Sequence, residues 1–378
     1  MTIRAAYLHV PFCRRRCGYC NFSVVADRDD LVAAYLTALE QELSWLSEPR
    51  EVDTLFLGGG TPTHLDAAAL ERLLALATRW FPPAGGAEFS IEANPADLDA
   101  AKADILAAAG VTRVSFGAQS FDAAKLRTLE RDHAPESTAT SLRLARDRGL
   151  DVSLDLIFGA PGETLDGWLG DLERAIELSP DHVSTYGLTF ERGTTFWGRR
   201  LRGDLRPVAE EEELAMYARA IDRLATAGYE HYEVSNFAWP RKRCRHNETY
   251  WRGDEYHAAG PGAARYVDGR RETNHRSTTA WLKRVMAGQS PVAESETLDS
   301  ESRAREALVL ALRTIEGVDL EAFATRFGHT LESLAGRTLD RYVSAGWLEH
   351  AAGSLRLTRP GLFISDSLWT ALLSTPSG

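Results

Sequence analysis

Three of the four cysteines stand within eight residues, in the run Cys13-Arg14-Arg15-Arg16-Cys17-Gly18-Tyr19-Cys20. The spacing is C-x3-C-x2-C. Three thiolates on one loop can hold three irons of a cubane cluster and leave the fourth iron open. An open metal position is what a small ligand needs in order to bind, by the same logic as a catalytic zinc. Zinc is the alternative reading; it takes a fourth ligand, and His9 is the candidate. Arg14, Arg15 and Arg16 either compensate cluster charge or form a solvated run. Cys244 stands alone, as a small buried hydrophobe or a thiolate ligand. Clustered cysteines outside an oxidising compartment read as metal ligands before disulfides.

The elements that must position this loop alternate regularly. Strand-like runs are Ala6–Val10, Thr54–Leu57, Glu88–Glu92, Arg113–Phe116, Val152–Ile157 and His182–Leu188. Amphipathic stretches such as Asp30–Leu46, Ala67–Trp80 and Leu165–Leu178 separate them. This pattern predicts parallel βαβ units, and six of them suit an α/β fold of the partial (β/α)6 barrel kind. A flat doubly wound sheet is the structural alternative. Gly58-Gly59-Gly60, Asn94-Pro95, Gly117-Ala118-Gln119 and Gly159-Ala160-Pro161-Gly162 follow the second to fifth strands. Glycine and proline often only turn a chain. Four such loops opening at one sheet edge predict a shared site, because parallel sheets bind ligands there.

Three segments follow: a barrel over 1–230, an extension over 231–295, and a C-terminal module over 296–378. In the last, helices Glu301–Arg313, Leu320–Phe327 and Leu331–Ala345 precede a hairpin around Gly353, the order of a winged helix. Winged helices can bind DNA, but this stretch is not notably basic, which favours a packing or lid role. The net charge of −11 also argues against nucleic acid as a partner. No transmembrane helix and no signal peptide are expected, which places the chain in the cytoplasm.

In the radical S-adenosylmethionine (SAM) superfamily the aromatic position before the last cluster cysteine packs beside the adenine, and Tyr19 stands there. There, SAM chelates the open iron and an electron from the cluster cleaves its sulfonium. Longer segments resemble the oxygen-independent coproporphyrinogen III oxidase group. They are Tyr7-Leu8-His9-Val10-Pro11-Phe12-Cys13, Leu57–Thr63, Ser90–Pro95, Ser115–Phe121, Asp155–Gly162 and Tyr232–Ala238, and the likeness runs through the whole chain. The oxidase branch has a further cysteine where this chain has Phe22. The haem-chaperone (HemW) branch has an aromatic there and His-Asn-x-x-Tyr-Trp, matched by His246-Asn247-Glu248-Thr249-Tyr250-Trp251.

The resemblance implies a protein that binds haem and passes it to an acceptor, with a [4Fe–4S] cluster and SAM modulating this. Transient contact with a membrane protein is compatible with that role. Phe22 argues against oxidase activity, which is the alternative reading together with a cluster-sensing regulator. Tyr7, Gly59 and Glu92 match contacts to the cluster-bound SAM. Gly60, Thr61, Gln119, Arg131 and Asp155 match contacts to a second SAM in the oxidase; a structural hydrogen bond is the other reading of Asp155. His246 is the candidate haem ligand, with Tyr250 and Trp251 as stacking faces and Arg241, Lys242, Arg243 and Arg245 as propionate partners. The alternative is that His246 is a hydrogen-bonded strut.

Overall fold

The computed structural model describes residues 2–374. Six parallel strands carry the barrel: β1 Ala5–Val10, β2 Val52–Gly59, β3 Pro83–Ala93, β4 Arg113–Gln119, β5 Asp151–Phe158 and β6 His182–Gly187. Three short strands extend the sheet: β7 Glu230–Glu233, β8 Asn236–Ala238 and β9 His257–Ala259. The order is β9-β1-β2-β3-β4-β5-β6-β8-β7, with β9 parallel to β1 and β8 antiparallel to its neighbours. The two edge strands are not bonded to each other, so the barrel stays open.

Alternation along the strands sorts the two faces. On β3, Phe89 and Ile91 are fully buried in the main apolar core with the helices. Glu88, Ser90 and Glu92 take the alternate positions and face inward. On β4, Val114 and Phe116 join the core while Arg113 and Ser115 take the inner face. On β5, Leu154 and Leu156 pack outward while Ser153 and Asp155 face inward. The barrel therefore has an apolar jacket and a polar lumen. Helices begin where short polar side chains accept an otherwise unpaired amide: Asp66 from Ala69, Asp99 from Lys102 and Thr164 from Gly167.

The extension expected over 231–295 is not a separate unit at its start. The boundary falls inside β7, and β7, β8 and β9 complete the barrel sheet. These strands are three or four residues long and carry too few positions for a readable period. Beyond β9, strands Ala264–Val267, Arg270–Asn274 and Val292–Thr297 form an antiparallel sheet. Its first turn, Asp268-Gly269, holds both residues at positive φ, 52° and 71°, as a two-residue hairpin requires. The C-terminal module has helices Ser300–Ala311, Leu320–Phe327 and Leu331–Ser344. Its strands Val318–Asp319, Leu348–Ala351 and Ser354–Leu357 form a three-stranded antiparallel sheet, in winged-helix order. Its own apolar cluster runs from Ala304 to Leu372; residues 375–378 of the expected module lie outside the described residues. No described helix is long and apolar enough to cross a membrane.

One buried carboxylate ties the extension to the barrel. Glu42, in the helix Val32–Ser44, accepts from the Gly260 amide at 3.0 Å, Asn274 Nδ2 at 2.7 Å and Trp281 Nε1 at 2.9 Å. A buried donor without a partner costs about 1–3 kcal/mol. Glu42→Ala strands three of them, so the expected loss is about 3 kcal/mol or more of unfolding free energy, read from urea denaturation. A loss below about 1 kcal/mol would show that the tie is dispensable.

Candidate functional site

A cleft opens at the C-terminal ends of the barrel strands, and the cysteine loop forms one wall. Cys13, Cys17, Tyr19, Cys20, Gly59, Gly60, Thr61, Glu92, Gln119, Arg131 and Asp155 all line it. Eleven of the residues singled out in the sequence thus meet in one place, although the chain separates them by up to 142 positions. Tyr7 is not in the wall. Its hydroxyl is 2.9 Å from His9 Nδ1, and it lies close enough to Glu92 to feel that charge.

Backbone geometry shapes the floor. Gly59 has φ +107°, and a Cβ there would lie 2.2 Å from the His9 ring. Its amide donates to Glu92 Oε2 at 2.8 Å. The next two amides tie the β2 loop to the cysteine segment: Gly60 donates to Val10 O at 2.8 Å and Thr61 to Phe12 O at 2.7 Å. A Cβ on Gly60 would press on those same two carbonyls, at 2.8 and 2.6 Å. These positions need glycine because backbone and ring occupy the side-chain space.

The thiols are only partly buried and have polar company. Thr61 Oγ1 lies 3.6 Å from Cys13 Sγ, and Arg131 Nη1 lies 3.5 Å from Cys17 Sγ. Arg131 also donates to Gly117 O at 2.7 Å. Its Nε is buried without a partner among the described residues. Burial raises the Cys13 and Cys20 thiols, Cys13 to about 12. A buried guanidinium beside the thiols suits a site that becomes anionic once metal replaces the protons. The residues therefore fit a cluster held by Cys13, Cys17 and Cys20. They do not fit the zinc alternative, because both nitrogens of His9 are engaged, the second at 2.8 Å from Ser23 O. Among the described residues no group of three or more His, Cys, Asp or Glu is placed to share a single metal ion.

Several supports carried no sequence signal. The helix Thr195–Leu201 clamps the cysteine loop. The Phe196 amide donates to Gly18 O at 2.8 Å, and its ring fills the space a side chain at Gly18 would need. Phe196 also meets the Tyr19 ring edge-on at 6.0 Å. Behind the loops after β4 and β5, Lys125 binds both Glu163 at 2.5 Å and Asp171 at 2.9 Å. Ser120 and the Phe121 amide donate to the same Asp171. That network holds Gln119, a non-glycine residue at φ +64°. Asp155 accepts from Ser115 Oγ at 3.3 Å and also from Ser184, so both its readings are present at once: it is hydrogen-bonded locally and lines the cleft.

His246 lies at the opposite end of the lumen. It is 1% exposed, and its ring stacks on Phe56 at 5.3 Å. Nδ1 is 3.0 Å from Thr54 Oγ1 and Nε2 is 2.8 Å from the Tyr250 hydroxyl. Both ring nitrogens are hydrogen-bonded, the arrangement that the strut alternative describes. Its basic neighbours are largely committed as well. Lys242 pairs with Asp151, Arg243 with Glu316 at 2.7 Å, and Arg245 donates to Gly86 O at 2.8 Å. Trp251 is capped by Arg313, 4.8 Å above its ring. Cys244 is buried, its Sγ 3.5 Å from Glu88, in keeping with a packing role.

Residues 7–175 match the sequence profile of the radical SAM superfamily, and 298–364 that of the HemN C-terminal domain. The heme chaperone HemW of Bacillus subtilis is 34% identical over 376 residues, 98% of this chain and 99% of that protein. The Escherichia coli heme chaperone HemW is 33% identical, with 97% of each chain covered. The structure of E. coli coproporphyrinogen III oxidase HemN, a radical SAM enzyme, matches with a TM-score of 0.87 at 22% identity. It covers 99% of this chain and 90% of that one, a likeness of fold.

Glu92 offers a test of the cleft. Burial pushes its carboxyl from 4.5 up to about 8, with the Asp155 charge adding to the rise and the Gly59 amide opposing it. The folded protein then keeps a proton that the unfolded chain releases above about pH 4.5. Stability contributed by that proton is full below this value and is lost as pH rises toward 8. Glu92→Gln cannot titrate, so its stability should fall less between pH 5 and 8 than that of the wild type. Parallel curves in thermal denaturation would refute the shift.

Proposed function

The chain belongs to the HemW haem chaperone family of radical SAM proteins, and from that membership we propose that it binds haem and delivers it to an acceptor protein. A SAM-coordinated [4Fe–4S] cluster in the cleft accompanies that role. Cys13, Cys17 and Cys20 would hold the cluster, which when bound supplies an open iron and an electron. Arg131, beside Cys17, offsets the charge of the thiolates. Tyr19, Gly59 and Glu92 would contact SAM, with Tyr7 close behind Glu92. Gly60, Thr61, Gln119 and Asp155, together with Arg131, offer the contacts for a second SAM. Asp155 and Glu92 can accept from hydroxyl or ammonium groups, and the glycine floor lets a ligand approach the backbone.

The observation that carries the chaperone reading over the oxidase is Phe22. It lines the cleft and is 63% exposed, where the oxidase branch has a thiol. An aromatic ring at that place offers an apolar face and no sulfur chemistry. The cytoplasm is the proposed compartment and the acceptor is a protein, soluble or membrane-embedded. The acidic balance of the chain, −11, disfavours nucleic acid.

Paired anaerobic assays test this. Reconstituted protein should hold a cluster that SAM perturbs. Cys13→Ala, Cys17→Ala and Cys20→Ala should each lose it, and Cys244→Ala should keep it. A stable cluster in the Cys17→Ala protein would sink the ligand assignment. The wild type should bind haem and should not decarboxylate coproporphyrinogen III with SAM and a reductant. Ready turnover would instead place the chain with the oxidases.

A further inference from the structure

An iron porphyrin asks three things of a protein: a free ligand atom, apolar walls for the macrocycle and cations for two propionates. The 245–251 helix does not meet the first, because both nitrogens of His246 are bonded. Another part of the molecule offers a histidine with free nitrogens, apolar wall and a weakly paired arginine. A cavity of about 680 Å³ lies beside the edge strand β9, between the end of the helix Val32–Ser44 and the antiparallel sheet of 264–297. That volume falls within the range of small-molecule sites, about 300–1,000 Å³. It exceeds the cavities flanking the 245–251 helix, about 310 and 460 Å³.

His257 on β9 lines this cavity. Its ring rests on Phe81, with centroids 5.7 Å apart and planes at 29°. Among the described residues neither ring nitrogen has a hydrogen-bond partner. Burial, with Arg50 and Arg265 nearby, lowers its pKa, which keeps the imidazole neutral and able to ligate. Trp45, 44% exposed, and Leu46, Val267 and Pro291 supply apolar wall.

Arg50, Arg265 and Arg270 also line the cavity, against the carboxylates of Glu42, Asp268 and Glu272. Glu42 already accepts from three donors and is pushed up to about 7 by burial. Glu272 pairs with Arg265 and Arg270. Arg50 pairs with Glu48, a surface residue 70% exposed, and donates to Leu46 O at 3.4 Å. Such a pair is worth little, so a propionate can replace it.

We propose that this cavity is the haem site, with His257 as axial ligand and Arg50 receiving a propionate at its rim. The proposal rests on the haem-binding reading given above. The test is an anaerobic haem titration of reconstituted wild type and His257→Ala, each with and without added imidazole. Iron–sulfur content serves as the control for folding. His257→Ala should bind haem about tenfold or more weakly, with a shifted Soret band. Free imidazole should return the band to its wild-type position. Absence of haem binding by the wild type would overturn the chaperone reading and this site with it. Binding by the wild type that is unchanged in His257→Ala would overturn this site alone. A loss that imidazole fails to restore would assign His257 to packing and overturn the ligation.

Discussion

The Gly59 amide and the Glu92 carboxyl, 2.8 Å apart, hold the working end of the barrel together. The contact joins β2 to β3 at the level where the cleft opens. It exists because Gly59 turns through a left-handed φ that leaves its amide pointing at the carboxyl and its missing side chain against His9. The next two amides grip the carbonyls of Val10 and Phe12, and so fix where the cysteine loop leaves β1. A side chain at either glycine would displace the ring or the carbonyls and move the thiols with them. The cost of the arrangement is a carboxyl buried in a polar lumen that holds its proton unusually long.

That lumen explains how one barrel supports two chemically distinct ends. At the cleft, charges and thiols lie near the opening, where a ligand can complete them. At the far end the inner face is closed by reciprocal hydrogen bonds, Thr54 with His246, His246 with Tyr250, and Ser153 with His182. A histidine with both nitrogens bonded is held as structure, and one with free nitrogens can still take a ligand. The distinction lies in partners, not in residue type, as His246 and His257 show.

Much of this was legible in the sequence, and the parts that were not share a cause. The C-x3-C-x2-C run and the loops after the strands carry local signals, so their convergence followed from the α/β alternation alone. The six long strands were visible because their outer faces are apolar at alternate positions. β7, β8 and β9 were not, since three or four residues cannot display a period. Phe196, Lys125 and Glu42 act through contacts across the fold, and nothing in their neighbouring residues announces it. The bonding of His246 was not legible because an imidazole beside aromatic and basic residues reads the same whether its nitrogens are free or bonded; that is a property of Thr54 and Tyr250, one of them almost two hundred residues away.

The placement of β9 against β1 carries a consequence for the newborn chain. The first strand made is flanked on one side by β2 and on the other by a strand that begins only at His257, with nearly the whole barrel sequence between them. Such a pairing closes a very long loop and cannot form early. Until that strand is made, β1 has one neighbour and an open flank. The order of synthesis thus leaves that flank of β1 unpaired until His257–Ala259 has emerged.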